Sequence, residues 1–95
     1  MATYVILSRF SPEAFQEPKE FKDLAAVVAA RIKVDCPGVT WKASYATLGR
    51  FDVVDIVEAE DAKDVEKAAM IIRAQGHSIT ETLLATPWKE FLATL

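Results

Sequence analysis

The chain has 95 residues, of which 52% are hydrophobic, and a formal net charge of −3 at pH 7. This length predicts one domain, residues 1–95, with a thin core, and the acidic balance argues against nucleic acid or an anionic membrane as partner. The single cysteine, Cys36, excludes an intrachain disulfide and fits a reducing compartment. The sequence also lacks the segments of a secretory signal and any run of roughly 18 apolar residues, so we expect a cytoplasmic protein.

The first predicted element is a strand at residues 3–10. Tyr4 and Ile6 alternate along it with Val5 and Leu7, so both faces of the strand are apolar. A strand of this kind lies in the middle of a sheet that is covered on both sides.

A loop containing two prolines precedes a predicted helix that starts near residue 19. Pro18 suits the first turn of this helix, and the run Cys36-Pro37-Gly38 ends it. Apolar residues recur along it at the spacing i, i+3, i+4, i+7, i+8 and i+11, which predicts one continuous buried stripe. The stripe consists of Phe21, Leu24, Ala25, Val28, Ala29 and Ile32.

Two further strands, at residues 39–48 and 51–59, flank Gly49-Arg50 and predict a hairpin. Glycine at the first central position is typical of a tight type II′ turn, because φ is positive there. The second of these strands again has apolar residues on both faces and is expected to be central in the sheet.

The register of this hairpin assigns its side chains to faces. A loop of two or four residues pairs Ala46 with Val53 and Ser44 with Asp55, whereas an odd loop breaks this register. One face then holds the bulkier residues Trp41, Ala43, Tyr45, Val54 and Ile56. The other holds Lys42, Ser44, Ala46, Leu48, Phe51, Val53, Asp55 and Val57. We expect the bulkier face to receive the helices and the other face to meet a second sheet.

The remaining sequence predicts a second helix, a fourth strand and a short helical tail. Asp61 suits the N-cap of the helix, and Gly76 suits its C′ position. The strand follows at residues 77–85, and the tail spans residues 88–92. The buried stripe of the helix consists of Val65, Ala68, Ala69 and Ile72.

The order βαββαβ is that of the ferredoxin-like split βαβ motif. We therefore predict an α+β fold, with a four-stranded antiparallel sheet and two helices on one face. Because these helices cover only one sheet face, the other face needs a partner subunit, and we expect at least a homodimer.

Residues 45–54, with the sequence YATLGRFDVV, resemble the GYD family of small bacterial and archaeal proteins. The Gly-Tyr-Asp-like motif of that family would here be Gly49, Phe51 and Asp52, with Arg50 inserted. The segments TETL and WKEF near the C-terminus are similar to the family's ending, whereas SPEAF after the first strand departs from the polar segment usual there. The resemblance implies a dimeric α+β-barrel fold and brings no established activity.

Asp55 is the first candidate site residue, because a carboxylate in the middle of a central strand is costly unless it is paired or hydrated. Either Lys42 and Ser44 satisfy it, or it lines a wet cavity between two sheets, and the two alternatives are compatible. His77, the only histidine, is a further candidate for this cavity, although a histidine that starts a strand is usually a polar end residue.

The motif residues Gly49, Phe51 and Asp52 have a structural interpretation, in which the glycine makes the turn, Phe51 packs and Asp52 accepts local hydrogen bonds. A direct ligand role is the alternative. Trp41 and Tyr45 are expected in the core beneath the helices. No Cys/His cluster has metal-ligand spacing, and the sequence has no phosphate loop or nucleophile elbow, so we expect no metal and no cofactor.

These observations favour a small homo-oligomeric module that binds a small ligand or has a regulatory role, with its site in a cavity between sheets. One alternative is a cofactor-independent enzyme, monooxygenase-like or isomerase-like, by analogy with other α+β barrels. The other is an assembly module without a ligand. The sequence itself names no substrate.

Overall fold

The chain folds in the predicted order βαββαβ and ends in a short helix. This computed structural model describes residues 1–13 and 16–95, so Ala14 and Phe15 of the predicted loop lie outside the described residues. The elements are β1 (Ala2–Phe10), α1 (Pro18–Asp35), β2 (Val39–Ala46), β3 (Val53–Ala59), α2 (Ala62–Gln75), β4 (Ser78–Ala85) and α3 (Trp88–Leu92). Their ends differ from the predicted ones by about one or two residues.

The four strands form one antiparallel sheet in the order β2-β3-β1-β4. The predicted central positions of β1 and β3 are therefore confirmed. Ile6 of β1 and Val57 of β3 are completely buried and belong to the core that the sheet forms with the helices.

Helix α2 packs on the sheet through its predicted stripe. All four residues of that stripe, from Val65 to Ile72, are buried. Asp61 caps the helix, since its side chain accepts a hydrogen bond of 2.9 Å from the backbone N–H of Lys63.

Most residues of the predicted stripe of helix α1 are not buried. It begins at Pro18, and Glu17 and Glu20 form a capping box there. Only Val28 and Ile32 of this helix are buried, because the rest of the stripe faces a cavity. Within the described part of the chain, neither this helix nor any other is long and apolar enough to span a membrane.

The end of α2 differs from the prediction. Gly76 has a helical φ of −89°, and the left-handed position belongs to His77, with φ +50°. A Cβ atom at Gly76 would lie 2.5 Å from the backbone oxygen of Ile72. Glycine is required here because the chain passes close to the last turn of α2, rather than because φ is positive.

The connection between β2 and β3 is longer than the predicted two-residue turn. It spans residues 47–52, and the backbone N–H of Thr47 donates to the carbonyl of Asp52 at 2.9 Å. An even number of residues lies inside this pair, so the predicted register of the hairpin near its loop holds. The predicted type II′ turn is wrong, whereas the positive φ of Gly49 is confirmed at +134°.

Gly49→Val is expected to destabilise the protein by on the order of 1–3 kcal/mol, because a β-branched side chain resists a positive φ. The space around Gly49 is open, so the loss arises from backbone strain alone. Leu48→Val places the same side chain at the exposed neighbouring position and should leave the stability close to that of the parent. Chemical denaturation of both variants checks this. Equal stabilities would show that the loop relaxes without cost.

The predicted assignment of the sheet faces is wrong. Asp55 and Val57 are buried on the face that carries the helices. Since side chains alternate along a strand, Val54 and Ile56 lie on the opposite face, here called the outer face. Both faces of β3 are apolar, so the size of the side chains could not distinguish them.

A β-bulge explains the position of Trp41. The register of β2 shifts between Trp41 and Ala43, so that Trp41 pairs with Val57 on the helix side. Tyr45 pairs with Val54 and stays on the outer face. The prediction that Trp41 and Tyr45 share a core is wrong, because they are 36% and 59% exposed and lie on opposite faces.

Candidate functional site

A cavity of about 780 Å³ lies between α1 and the sheet face that carries the helices. All members of the predicted α1 stripe line it and give it an apolar wall. The sheet contributes the polar residues Ser8, Trp41, Ser44, Asp55 and Ser78. This volume, with a mostly apolar wall and a few polar groups, is typical of small-molecule sites.

Asp55 is held in this cavity by two donors from β2. Ser44 Oγ donates to Asp55 Oδ1 at 2.6 Å, and Trp41 Nε1 donates to the same oxygen at 3.1 Å. Trp41 Nε1 also lies 3.0 Å from Ser44 Oγ. Asp55 is 7% exposed, and no donor from the described residues bonds to its other oxygen, Oδ2. One carboxylate oxygen is therefore fixed by the protein, and the other is available to a ligand.

Ser8 adds an unpaired hydroxyl to the same wall. The residue is 2% exposed, and its Oγ has no hydrogen-bond partner among the described residues. Ser8 pairs with Val53 while Ile6 pairs with Asp55, so Ser8 and Asp55 are diagonal neighbours, about 7–8 Å apart. An unpaired buried polar atom costs on the order of 1–3 kcal/mol, so Ser8 is a polar group of this wall whose hydrogen-bonding capacity the described residues leave unused.

The two ends of the cavity differ in character. Near the start of α1, the rings of Phe10 and Phe21 pack with their centroids 4.3 Å apart. Near its end, Cys36 and Lys33 line the cavity. Burial raises the pKa of the Cys36 thiol, so its reactive thiolate form is disfavoured. The described part of the chain brings together no group of His, Cys, Asp and Glu side chains that could hold a metal ion.

Asp52 ties the hairpin loop to the end of β1 beside the cavity. Its Oδ2 accepts a hydrogen bond of 2.9 Å from the backbone N–H of Phe10, and its own N–H donates to the carbonyl of Ser8 at 2.8 Å. These two bonds fix the backbone at Ser8. Gly49 and Phe51 lie in the same loop and do not line the cavity, so a direct ligand role for the motif stays a prediction.

Two predicted site residues lie away from the cavity. Lys42 Nζ lies 3.9 Å from Glu58 Oε1 at the outer face, so the predicted pairing of Lys42 with Asp55 is wrong. The β-bulge is the cause, because it shifts the alternation of side chains along β2. His77 is exposed, and the cavity is lined by its neighbour Ser78 instead.

The sequence profile of the GYD domain family matches residues 4–95. This chain belongs to the GYD domain family. A relative from Thermus thermophilus, named glutamine synthetase and cystathionine beta-lyase binding protein, is 33% identical over 95 residues, which are 100% of this chain and 99% of the relative. The predicted family resemblance is thereby confirmed.

Two solved structures share the fold of this GYD domain protein. FFRP-DM1 has a TM-score of 0.51 and 23% identity, and the match covers 90% of this chain and 100% of that one. A candidate antibiotic biosynthesis monooxygenase from Caulobacter crescentus has a TM-score of 0.51 and 15% identity, with 90% and 91% covered. At these identities the likeness shows the ferredoxin-like α+β fold alone.

The sequence predicts two polar residues of this GYD domain cavity, Asp55 and Ser44, but not Ser8. A signal for Ser8 was present, since it is a small polar residue that continues the apolar face of Tyr4 and Ile6. The α1 stripe was expected to pack tightly. Periodicity shows which residues share a face, but it does not show how closely that face approaches the sheet.

Proposed function

We propose that this protein is a small homo-oligomeric module that acts in the cytoplasm and binds a small molecule in the cavity beneath α1. The observation that carries this proposal is the unpaired Ser8 hydroxyl beside the half-paired Asp55 carboxylate, both buried at the wall of an apolar cavity. In such a site the apolar wall supplies most of the binding free energy, and the few polar groups fix the orientation of the ligand.

The alternative, a cofactor-independent enzyme, would use the same cavity. Asp55 is the carboxylate that lines it among the described residues, and it would be the acid or base of such a reaction. The likeness to a candidate monooxygenase concerns the fold alone, so binding is the function that the geometry supports best. Mass spectrometry of a bound ligand before and after incubation tests this alternative, because turnover would change the ligand's mass.

A second candidate function is regulation of a metabolic enzyme by direct binding. It is favoured by the relative that is 33% identical over 99% of its own length and is named as a binding protein for two enzymes. We propose that this chain binds a homologous enzyme. Co-elution with purified glutamine synthetase and cystathionine beta-lyase in size-exclusion chromatography tests this. Elution of each enzyme alone, at micromolar concentrations of both partners, would contradict it.

Ala29→Phe is expected to weaken the thermal stabilisation produced by a small molecule that binds in the cavity, because Ala29 lines the cavity and the larger ring would occupy part of it. A ligand at 100 times its Kd stabilises a protein by about 2.7 kcal/mol, so the loss is readily measured. The assay is a thermal-shift screen of a panel of low-molecular-weight metabolites.

Ala30→Phe is the matched control for this prediction. Ala30 is the next residue of α1, is exposed and does not line the cavity. This variant should keep the response of the parent to every metabolite that binds. A metabolite that stabilises Ala29→Phe as much as the parent would place the site elsewhere and contradict the proposal.

A further inference from the structure

We propose that the ligand of the cavity is a mostly apolar molecule, neutral or cationic, that donates a hydrogen bond to Oδ2 of Asp55. This inference rests on the proposed function, because it defines the chemistry of the same site. It follows from which donors and acceptors of the polar wall are already hydrogen-bonded within the protein.

The two donors next to Asp55 are used within the protein. Trp41 Nε1 and Ser44 Oγ both donate to Oδ1 of Asp55, at 3.1 and 2.6 Å. An indole N–H and a hydroxyl have one hydrogen each, so neither residue has a further donor for a ligand. At Asp55 the wall therefore presents the cavity with an acceptor, Oδ2, and a ligand that bonds there must supply the donor.

The charges around the cavity disfavour an anion. Asp55 is 7% exposed, so its negative charge acts at short range through a medium of low dielectric. Lys33 is the cation that lines the cavity among the described residues. It is exposed at the end of α1, where water screens its charge. A carboxylate or phosphate group close to Asp55 would meet repulsion that Lys33 does not offset.

Ser8 lies near Asp55 and is almost completely buried in the same wall. Its hydroxyl is unpaired among the described residues, and a hydroxyl can both donate and accept. Asp55 therefore supplies the polar contact of the wall, and the rest of the ligand would contact the α1 stripe.

The fixed role of Oδ1 predicts what Asp55→Asn does. Trp41 Nε1 and Ser44 Oγ both donate to Oδ1, so the side-chain amide of this variant keeps both hydrogen bonds only when its carbonyl oxygen faces them. Its NH₂ group then occupies the position of Oδ2 and faces the cavity. The substitution therefore changes the group presented to the ligand from an acceptor into a donor, without changing its shape.

Three naphthalene derivatives substituted at the same ring carbon test this inference. Naphthol carries a donor, methoxynaphthalene carries only an acceptor, and naphthoate is an anion at neutral pH. Their affinities are measured by isothermal titration calorimetry on the parent protein and on Asp55→Asn. Trp88→Phe leaves Trp41 as the only tryptophan of the two in the chain, so quenching of its fluorescence places each probe in the cavity.

The parent is expected to bind naphthol at least about tenfold more tightly than methoxynaphthalene, since a hydrogen bond to a charged group contributes enough for that ratio, and naphthoate is expected to bind weakest. Asp55→Asn should reverse the order of naphthol and methoxynaphthalene. Equal binding of the three probes by the parent, or an unchanged order in Asp55→Asn, would overturn this inference and leave the cavity as a binding site. If none of the probes binds or quenches Trp41, the proposed function itself fails.

Discussion

If the proposed homodimer forms through the outer face, Val54→Asp is expected to convert it into a folded monomer. Val54 lies on the outer face, between Leu7 of β1 and Tyr45 of β2. If a second copy covers this face, each subunit would bury an unpaired carboxylate there, at a cost on the order of several kcal/mol per ion. Light scattering after size-exclusion chromatography measures the mass, and far-UV circular dichroism checks the fold.

The outer face motivates this prediction because neither α1 nor α2 covers it in the part of the chain that the structure describes. Helices α1 and α2 both pack on the opposite face of the sheet. The apolar residues of the outer face are Val5, Leu7, Tyr45, Val54, Ile56, Ile79 and Leu83. Lys42, Glu58, Arg9 and Glu81 share this face and carry charge. A contiguous apolar patch with a charged rim is characteristic of a protein–protein interface.

Val34→Asp is the matched control, because it makes the same change at an exposed position of α1, away from the outer face. This variant should keep the mass of the parent. A parent protein that is monomeric at all concentrations would overturn the proposed self-association. The same holds if Val54→Asp remains dimeric with its fold intact, because the interface would then lie elsewhere.

The central strands and the packing of α2 could be predicted from the sequence, because their signals are local and redundant. Apolar residues on both faces of β1 and β3 leave no position but the middle of the sheet. The buried stripe of α2, from Val65 to Ile72, and the N-cap of this helix, Asp61, both lie where they were expected. Local patterns of this kind agree with the global fold, as in most natural sequences.

The identity of the two sheet faces could not be predicted, because the hairpin pattern is ambiguous in two ways. Val54 and Ile56 are as apolar as Val53 and Val57, so burial on either face is plausible from composition alone. The β-bulge after Trp41 then reverses the alternation in the first half of β2. A bulge without glycine leaves no clear mark in the sequence.

The same β-bulge limits how much of the candidate site could be predicted from the sequence. A mid-strand carboxylate such as Asp55 stands out because its burial needs partners, and the register near the loop correctly placed Ser44 opposite it. Beyond the bulge the same reasoning chose Lys42 where the structure has Trp41. The cavity itself depends on how far α1 stands from the sheet, which is a property of tertiary packing.

Substitutions of Asp55 distinguish the roles of its two carboxylate oxygens. Asp55→Ala is expected to destabilise the protein by about 1–3 kcal/mol, because it removes the acceptor of two hydrogen bonds. Asp55→Asn keeps a carbonyl oxygen toward Trp41 and Ser44 and should lose less than about 1 kcal/mol. Chemical denaturation of these variants measures the difference.

Double-mutant cycles then identify the partner of Asp55. The cycle with Ser44→Ala should show a coupling above about 0.5 kcal/mol, because the two side chains share a hydrogen bond of 2.6 Å. The cycle with Lys42→Ala should be additive within about 0.5 kcal/mol, because Lys42 lies near Glu58 on the other face of the sheet. Strong coupling to Lys42, or an Asp55→Asn variant as unstable as Asp55→Ala, would contradict this arrangement. The hydrogen bonds to Oδ1 would then not be what holds Asp55 in the cavity wall.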